Sequence, residues 1–328
     1  MIDRNVLLKP LQTVVGIVER KQPLPILSNV LIEKRNAAIR FVATDLEIQI
    51  ATIQEMEIDG DIGAVTVSAK KLQEILRVLP EDSKVSLDLQ ENKLLIKANK
   101  SRFSLQTLPA QDFPVITDQL ENSSKITIKQ GLLKKLLGLV QYAMAQQDIR
   151  YYLNGVLLVI EGNQIRLIAT DGHRLAFVNS TLENEYSKHE VILSRKTVNE
   201  LSKLLADSDQ EITLELAEKQ VRISFADIVL TSKVIDGKFP DYERVIPNYT
   251  NHLSLDRMTI LQALQRAAIL SNEKFRGVRF VLTEKNLRII SSNSEQEEAQ
   301  EEIETDYHGE AIDIGFNVNY LMDGLSNI

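Results

Sequence analysis

Two unrelated landmarks in this 328-residue chain recur at one spacing, and that repetition limits the possible folds more than any other feature. Ala43-Thr44-Asp45 returns as Ala169-Thr170-Asp171, and Phe113-Pro114 returns as Phe239-Pro240, each 126 residues later. One offset shared by two landmarks implies a duplicated unit, and a unit of that length is a whole domain.

Apolar spacing fills in the unit. Leu7, Leu8, Leu11, Val14, Val15 and Val18 predict a helix over 5–22, with Pro10 near its first turn and Pro23 as its stop. Strands are predicted at 28–33, 39–43 and 47–53, then a helix at 68–79 with Ser68 as its cap, then strands at 84–89, 93–98 and 103–108. The second copy repeats this order. A helix at 131–147 carries Leu133, Leu137, Val140 and Met144 as one stripe, followed by strands at 155–161, 164–170 and 175–180. A Ser-capped helix at 194–206 and strands at 211–216, 220–224 and 229–235 complete it. The third copy has a helix at 256–270, strands at 277–283, 286–291 and 312–314, and a helix at 316–325. Against the second copy it is about 37 residues short, so its C-terminal half is expected to be incomplete. The predicted class is α+β, with domains at 1–120, 125–247 and 252–328, each of two helices packed on antiparallel sheets.

Composition narrows the function. The chain has no Cys, which removes disulfides, thiolate metal sites and Cys nucleophiles and fits a reducing compartment. No leader-like segment and no apolar run of 18 residues is present, so neither a signal peptide nor a membrane span is expected. The net charge of −8 argues at first against nucleic acid. Sorting charge by element reverses that reading. Counted over 5–22, 68–79, 129–147, 194–206, 256–270 and 316–325, the six predicted helices hold 14 Lys and Arg against 5 Asp and Glu, so they sum to +9 and the remainder to −17. Glu is as good a helix former as Lys, and its scarcity here points to a basic helical surface suited to phosphate contact without base readout.

Geometry bounds what such a surface could hold. A 100-residue domain is about 34 Å across, so three in a touching ring leave a hole of about 5 Å, whereas six leave a hole about one domain wide. A duplex is about 20 Å across. Three domains cannot encircle it; two chains joined head-to-tail can.

The repeat, together with Leu24-Pro25-Ile26-Leu27, Tyr151-Tyr152-Leu153-Asn154-Gly155, Thr170-Asp171-Gly172-His173-Arg174-Leu175, Phe239-Pro240-Asp241-Tyr242 and Asn272-Glu273-Lys274-Phe275-Arg276-Gly277, resembles the bacterial sliding-clamp family, the β subunits of DNA polymerase III. The motifs follow in order along the whole chain. The resemblance implies a homodimeric ring of six similar domains, with helices lining the pore and sheets outside. It implies a cytoplasmic, non-catalytic processivity factor in DNA replication, without cofactor or metal, that tethers the replicative polymerase to duplex DNA. Partners implied with it are clamp-loader subunits, other polymerases and repair proteins, docking through short linear motifs.

Carried over residue by residue, the family's peptide pocket falls on Leu153, Thr170, Gly172, His173, Arg174, Leu175, Pro240 and Val245, with Phe275 and Tyr320 near its rim. DNA-binding candidates are Lys21, Lys134, Lys135, Arg195, Lys196 and Lys203. The dimer interface is expected to bring Phe103 and Leu105 against Ile269 and Leu270, and Lys71 and Arg102 toward Glu297, Glu298, Glu301 and Glu302. Two rival readings stand beside this one. An enzyme on duplicated α+β domains would use Asp171 and His173, but no nucleophile motif accompanies them, and His189, His252 and His308 sit in no ligand spacing. A weaker rival is a monomeric structural protein with no DNA role, which light scattering with and without circular DNA separates from a ring.

Overall fold

The computed structural model describes residues 1–19, 24–35, 37–55, 63–116, 120, 122–249 and 251–328. The first unit contains β1 (Ile2–Asp3), α1 (Arg4–Val15), β2 (Asn29–Arg35), β3 (Ala38–Thr44), β4 (Ile48–Glu55), β5 (Ala64–Ser68), α2 (Ala69–Val78), β6 (Lys84–Gln90), β7 (Lys93–Ala98) and β8 (Ser101–Leu108). The second contains β9 (Ser124–Lys129), α3 (Gln130–Val140), β10 (Gly155–Thr170), β11 (Leu175–Ser194), α4 (Arg195–Leu204), β12 (Glu211–Leu216), β13 (Gln220–Phe225) and β14 (Ile228–Lys233). The third contains α5 (Arg257–Ala268), β15 (Gly277–Thr283), β16 (Asn286–Ser292), β17 (Glu298–Glu304), β18 (Ile312–Asn317) and α6 (Val318–Ser326).

Four of the six described helices begin at a side-chain cap. Asp3, Ser194, Asp256 and Asn317 accept backbone N–H bonds at the starts of α1, α4, α5 and α6. Ser68 occupies the corresponding place before α2 but makes no capping bond. Within the observed bounds the six helices carry twelve Lys and Arg against three Asp and Glu, again +9.

Several boundaries differ from the sequence pattern. Helix α1 stops at Val15 rather than at 22, and the following Gly16 packs against the second unit, where a Cβ would meet Glu200 Oε2 at 2.9 Å. Pro10 is the seventh residue of α1, not in its first turn, and costs the helix one internal N–H bond. Helix α3 ends at Val140 and tightens into a 3-10 turn over Gln141–Ala143, yet Met144 still reaches the core. The strands predicted at 155–161 and 164–170 are one strand, β10, bulged where Gly162 adopts φ +59°. Its partner β11 runs on through the polar stretch to Ser194, because backbone pairing (Val159↔Glu190, Ile160↔His189) holds extended a segment without apolar alternation.

A twelve-stranded sheet runs β1-β6-β7-β8-β5-β2-β3-β4-β14-β13-β12-β9. It crosses between units where β4 pairs antiparallel with β14, from Thr52↔Ile228 to Ile48↔Ser232. The β10–β11 ribbon and the four-stranded sheet β17-β16-β15-β18 carry the rest. One apolar core runs continuously through the first two units, and the third has its own around Leu264, Val278, Leu287 and Ile289.

Two smaller clusters explain the Phe-Pro landmark. Phe113 packs on Leu31 and Val42, and Phe239 packs on Leu157 and Ile168, and every pair stands 126 apart. Each Phe plugs the second face of its sheet and brings the following Pro to the surface. In the second unit that surface is the site.

Candidate functional site

The turn between β10 and β11 is built by its own side chains. Thr170 Oγ1 donates to the Arg174 carbonyl at 2.6 Å and accepts from Gly172 N at 3.1 Å. Asp171 Oδ1 accepts from the backbone N–H of His173 and Arg174 at 2.9 and 3.1 Å. The turn between β3 and β4 repeats these bonds: Thr44 Oγ1 to the Ile48 carbonyl, and Asp45 Oδ1 from Glu47 N and Ile48 N. The third residue of each is left-handed, Leu46 at φ +80° and Gly172 at φ +88°. Leucine therefore satisfies this backbone. Glycine at 172 differs in leaving room, and the Arg150 guanidinium lies there, within 3.0 Å of where a Cβ would stand.

Above this turn opens a cleft of about 400 Å³, lined by Leu153, Thr170, Gly172, His173, Arg174, Leu175, Pro240 and Val245 together with Arg150, Tyr152, Asp241 and Tyr242. Leu153 is buried as its floor, Leu175 is half-buried, and Val245 is exposed at its mouth. Aliphatic and aromatic walls with a few fixed polar groups suit a short peptide with apolar anchors. Tyr320 reaches the rim by stacking on His173, ring centres 6.4 Å apart. Phe275 does not line the cleft; it is exposed, with Lys274 Nζ 5.5 Å from its ring centre.

Four lining residues escaped sequence reasoning. Tyr152, Asp241 and Tyr242 lay inside motifs already singled out, whereas Arg150 had no local signal. It is set by Asp148, whose carboxylate takes a two-pronged ion pair from its guanidinium at 3.0 and 2.8 Å. The Arg150 side chain and backbone bonds hold the Asp148 pKa down to about 2.

The basic candidates divide. Lys21 lies outside the described residues. Lys134 and Lys135 stand on α3, half-buried and exposed, beside a cleft shared with Lys129, Asp207 and Asp209. Arg195 donates to the carbonyls of Met144 and Ala145 at 3.2 and 3.3 Å. Lys203 pairs with Glu200 at 2.7 Å and keeps its side chain mostly in solvent. Lys196 does not stand free as a phosphate contact: it pairs with Glu19 at 2.6 Å and with Asp45, tying the second unit to the first. Burial would lower its pKa, but the bonds to Asp45 and Glu19 outweigh that and raise it.

The interface candidates sit on two different units. On the first, Lys71 and Arg102 are exposed, and Phe103 and Leu105 are half-buried against the core. On the third, Ile269 is 76% exposed just past α5, beside the half-buried Leu270. Glu298 is exposed, Glu297 accepts from Asn293, and Glu302 accepts from Gln300. Glu301 is already paired with Arg266 of its own chain at 2.9 and 2.5 Å, which lowers its pKa. Among the described residues no group of three His, Asp or Glu could hold a metal, and no helix is long and apolar enough to cross a membrane.

Comparison with known proteins agrees in one direction. Family models of the DNA polymerase III beta subunit match the chain three times: the N-terminal domain on 1–117, the central domain on 127–241 and the C-terminal domain on 243–328. The beta sliding clamp of Pseudomonas putida is 45% identical over 327 residues, covering 99% of this chain and 89% of that protein. That of Escherichia coli K12 is 41% identical, with 99% and 89% covered. The solved structure of DNA polymerase III subunit beta from Pseudomonas aeruginosa superposes with TM-score 0.97 at 44% identity, covering 100% of this chain and 89% of that one. The clamp of that organism bound to griselimycin superposes at 0.95.

Proposed function

This chain belongs to the DNA polymerase III beta subunit family, the beta sliding clamps, and from that premise we propose how its residues divide the work. The clamp is a non-catalytic processivity factor for DNA replication that holds polymerase to duplex DNA. Domains at 1–120, 125–247 and 252–328 form half of a ring, and a second copy closes it head-to-tail. The work on DNA places the ring in the cytoplasm.

The observation that carries the DNA reading is the separation of charge, +9 on the helices in a chain of net −8. Lys134 and Lys135 on α3 and Lys203 on α4 face phosphate, and Lys21 remains a candidate from the sequence alone; Arg195 and Lys196 fix the helix that carries Lys203. Contacts of this kind hold a duplex without reading its sequence, so the ring slides.

Closure is supported by two open strand edges of opposite charge. Strand β8 bonds β5 only through Thr107 and Leu108, leaving Ser101–Gln106 open on that side with Arg102 exposed. At the other end β17 is an edge of its sheet and carries Glu298, Glu301, Glu302 and Glu304. Partners dock in the cleft over Gly172, which takes an extended motif with one aliphatic and one aromatic anchor.

The test is topological. Protein loaded onto a closed circle of DNA stays bound until the circle is cut, and then slides off. Retention on the linear form at equal strength would mean ordinary backbone binding instead of encirclement.

A further inference from the structure

Resting on that docking reading, we propose that Asp323 is a positioning residue for the cleft: through Arg174 it makes the cleft's shape depend on the junction between the second and third units. Arg174 lines the cleft, yet its guanidinium is spent away from it. Nε donates to Asp171 at 3.1 Å, Nη1 to Asp323 at 2.5 Å and Nη2 to the Tyr142 carbonyl at 2.6 Å. The guanidinium carbon lies 4.6 Å from the ring centre of Tyr320 and 5.4 Å from that of Tyr142. Tyr320 and Asp323 are three residues apart on α6, hence on one face of it. A planar cation bonded on three sides and stacked on aromatic rings has little freedom left. The backbone of Arg174 is held as well, through Thr170, so turn and helix move as one piece. Asp323 itself lines no part of the cleft.

The junction between the first two units supplies the comparison. Helix α4 begins at its Ser194 cap as α6 begins at its Asn317 cap, and each lies on the Thr-Asp turn of the preceding unit. There the cation sits on the helix and the acid on the turn, Lys196 to Asp45; at the second junction the helix brings Asp323 and the turn brings Arg174. The first turn has nothing to hold open. Leu46 stands where Gly172 stands, and the Gln49 amide bonds both backbone groups of Ile116. Two similar ion pairs tie the units together, and only the one at the second junction runs through a residue of the cleft. Coupling between binding sites is reciprocal, so a peptide that needs Arg174 in place also stiffens the junction.

The experiment titrates a fluorescent peptide carrying one aliphatic and one aromatic anchor against the full chain and its variants. Asp323→Asn keeps the side chain's size and removes its charge; it should weaken the peptide about tenfold, and Asp323→Glu should restore most of the loss. The chain has no Cys, so Asn199→Cys and Gln265→Cys place spin labels only on α4 and α5. Peptide should narrow the distance distribution between those labels in the parent and leave it broad in Asp323→Asn. Unchanged affinity and retained narrowing in Asp323→Asn would overturn the proposal. Asp45→Asn breaks the other junction's pair and should leave peptide affinity alone; an equal loss there would mean general softening and would also overturn it. Gly172→Leu separates the two ideas: equal peptide binding by that variant sinks the docking reading itself, whereas loss there beside normal binding by Asp323→Asn sinks only the role of Asp323.

Discussion

Gly172 is the residue at which duplication became function. Its turn and the Leu46 turn share their hydrogen bonds and their left-handed third residue, so the backbone favours glycine but also accepts leucine. Gly172→Leu is therefore expected to fold with a modest loss of melting temperature from the positive φ, while peptide affinity falls at least tenfold as leucine displaces the Arg150 guanidinium and enters the cleft. A large loss of melting temperature would show that the glycine serves the backbone after all. Asp148 yields a second prediction. Its folded pKa of about 2 lies below the ordinary 3.8, so the stabilisation from its pairing with Arg150 is complete above the ordinary value and is lost as pH falls toward 2. Carboxyl NMR should place the Asp148 midpoint near 2, and Arg150→Ala should return it toward 3.8. The pair is exposed and screened by solvent, so the share of overall stability that is lost with this titration should be small.

At the scale of elements, what the sequence showed and what it hid separate by distance along the chain. The helices were legible because their apolar stripes are local, and all four residues of the Leu133 stripe are buried. The end of α1 was not, since the apolar spacing runs on to Val18 while the helix stops at Val15, where Glu200 of another unit packs on Gly16. The polar half of β11 was invisible for the same reason, being extended only by its partner β10. Most of the cleft was legible through resemblance, but the residues that hold Arg174 were not: Asp323 is 149 positions away from it. The partners of Lys196, a DNA-binding candidate by its place on a basic helix, were hidden likewise, since Asp45 is 151 positions away. The tie it makes can be weighed. The Asp45 side chain is only 9% exposed, so Lys196→Ala leaves a nearly buried carboxylate without its cation. A destabilisation of about 1–2 kcal/mol is expected, read as a lower denaturant midpoint. Adding Asp45→Asn should recover part of it, because the uncompensated charge is then gone. A single mutant with an unchanged midpoint would show that the pair contributes nothing across the junction.

At the scale of the whole molecule the question is how one chain becomes a ring, and Ile269 is where folding and assembly come apart. It is 76% exposed, and its backbone N–H bonds the Arg266 carbonyl, so an ordered turn presents its side chain to solvent. An ordered, exposed isoleucine buries little in its own chain and much in an interface. Ile269→Ala with Leu270→Ala should therefore cost the protomer little stability and cost the assembly several kcal/mol, giving a folded species of half the native mass. The acidic side sharpens the expectation. Arg266 already occupies Glu301, which leaves Glu298 and Glu302, both exposed, with Glu297 to meet Lys71 and Arg102 of the second copy. Glu298→Gln should then weaken association more than Glu301→Gln, and added salt should narrow the difference by screening the exposed pairs. Sedimentation at graded salt measures both, and circular DNA gives the functional readout, since the half-mass species cannot stay linked to a closed circle. A double alanine variant that keeps the native mass and remains on circular DNA would remove Ile269 and Leu270 from the interface and move ring closure to another surface.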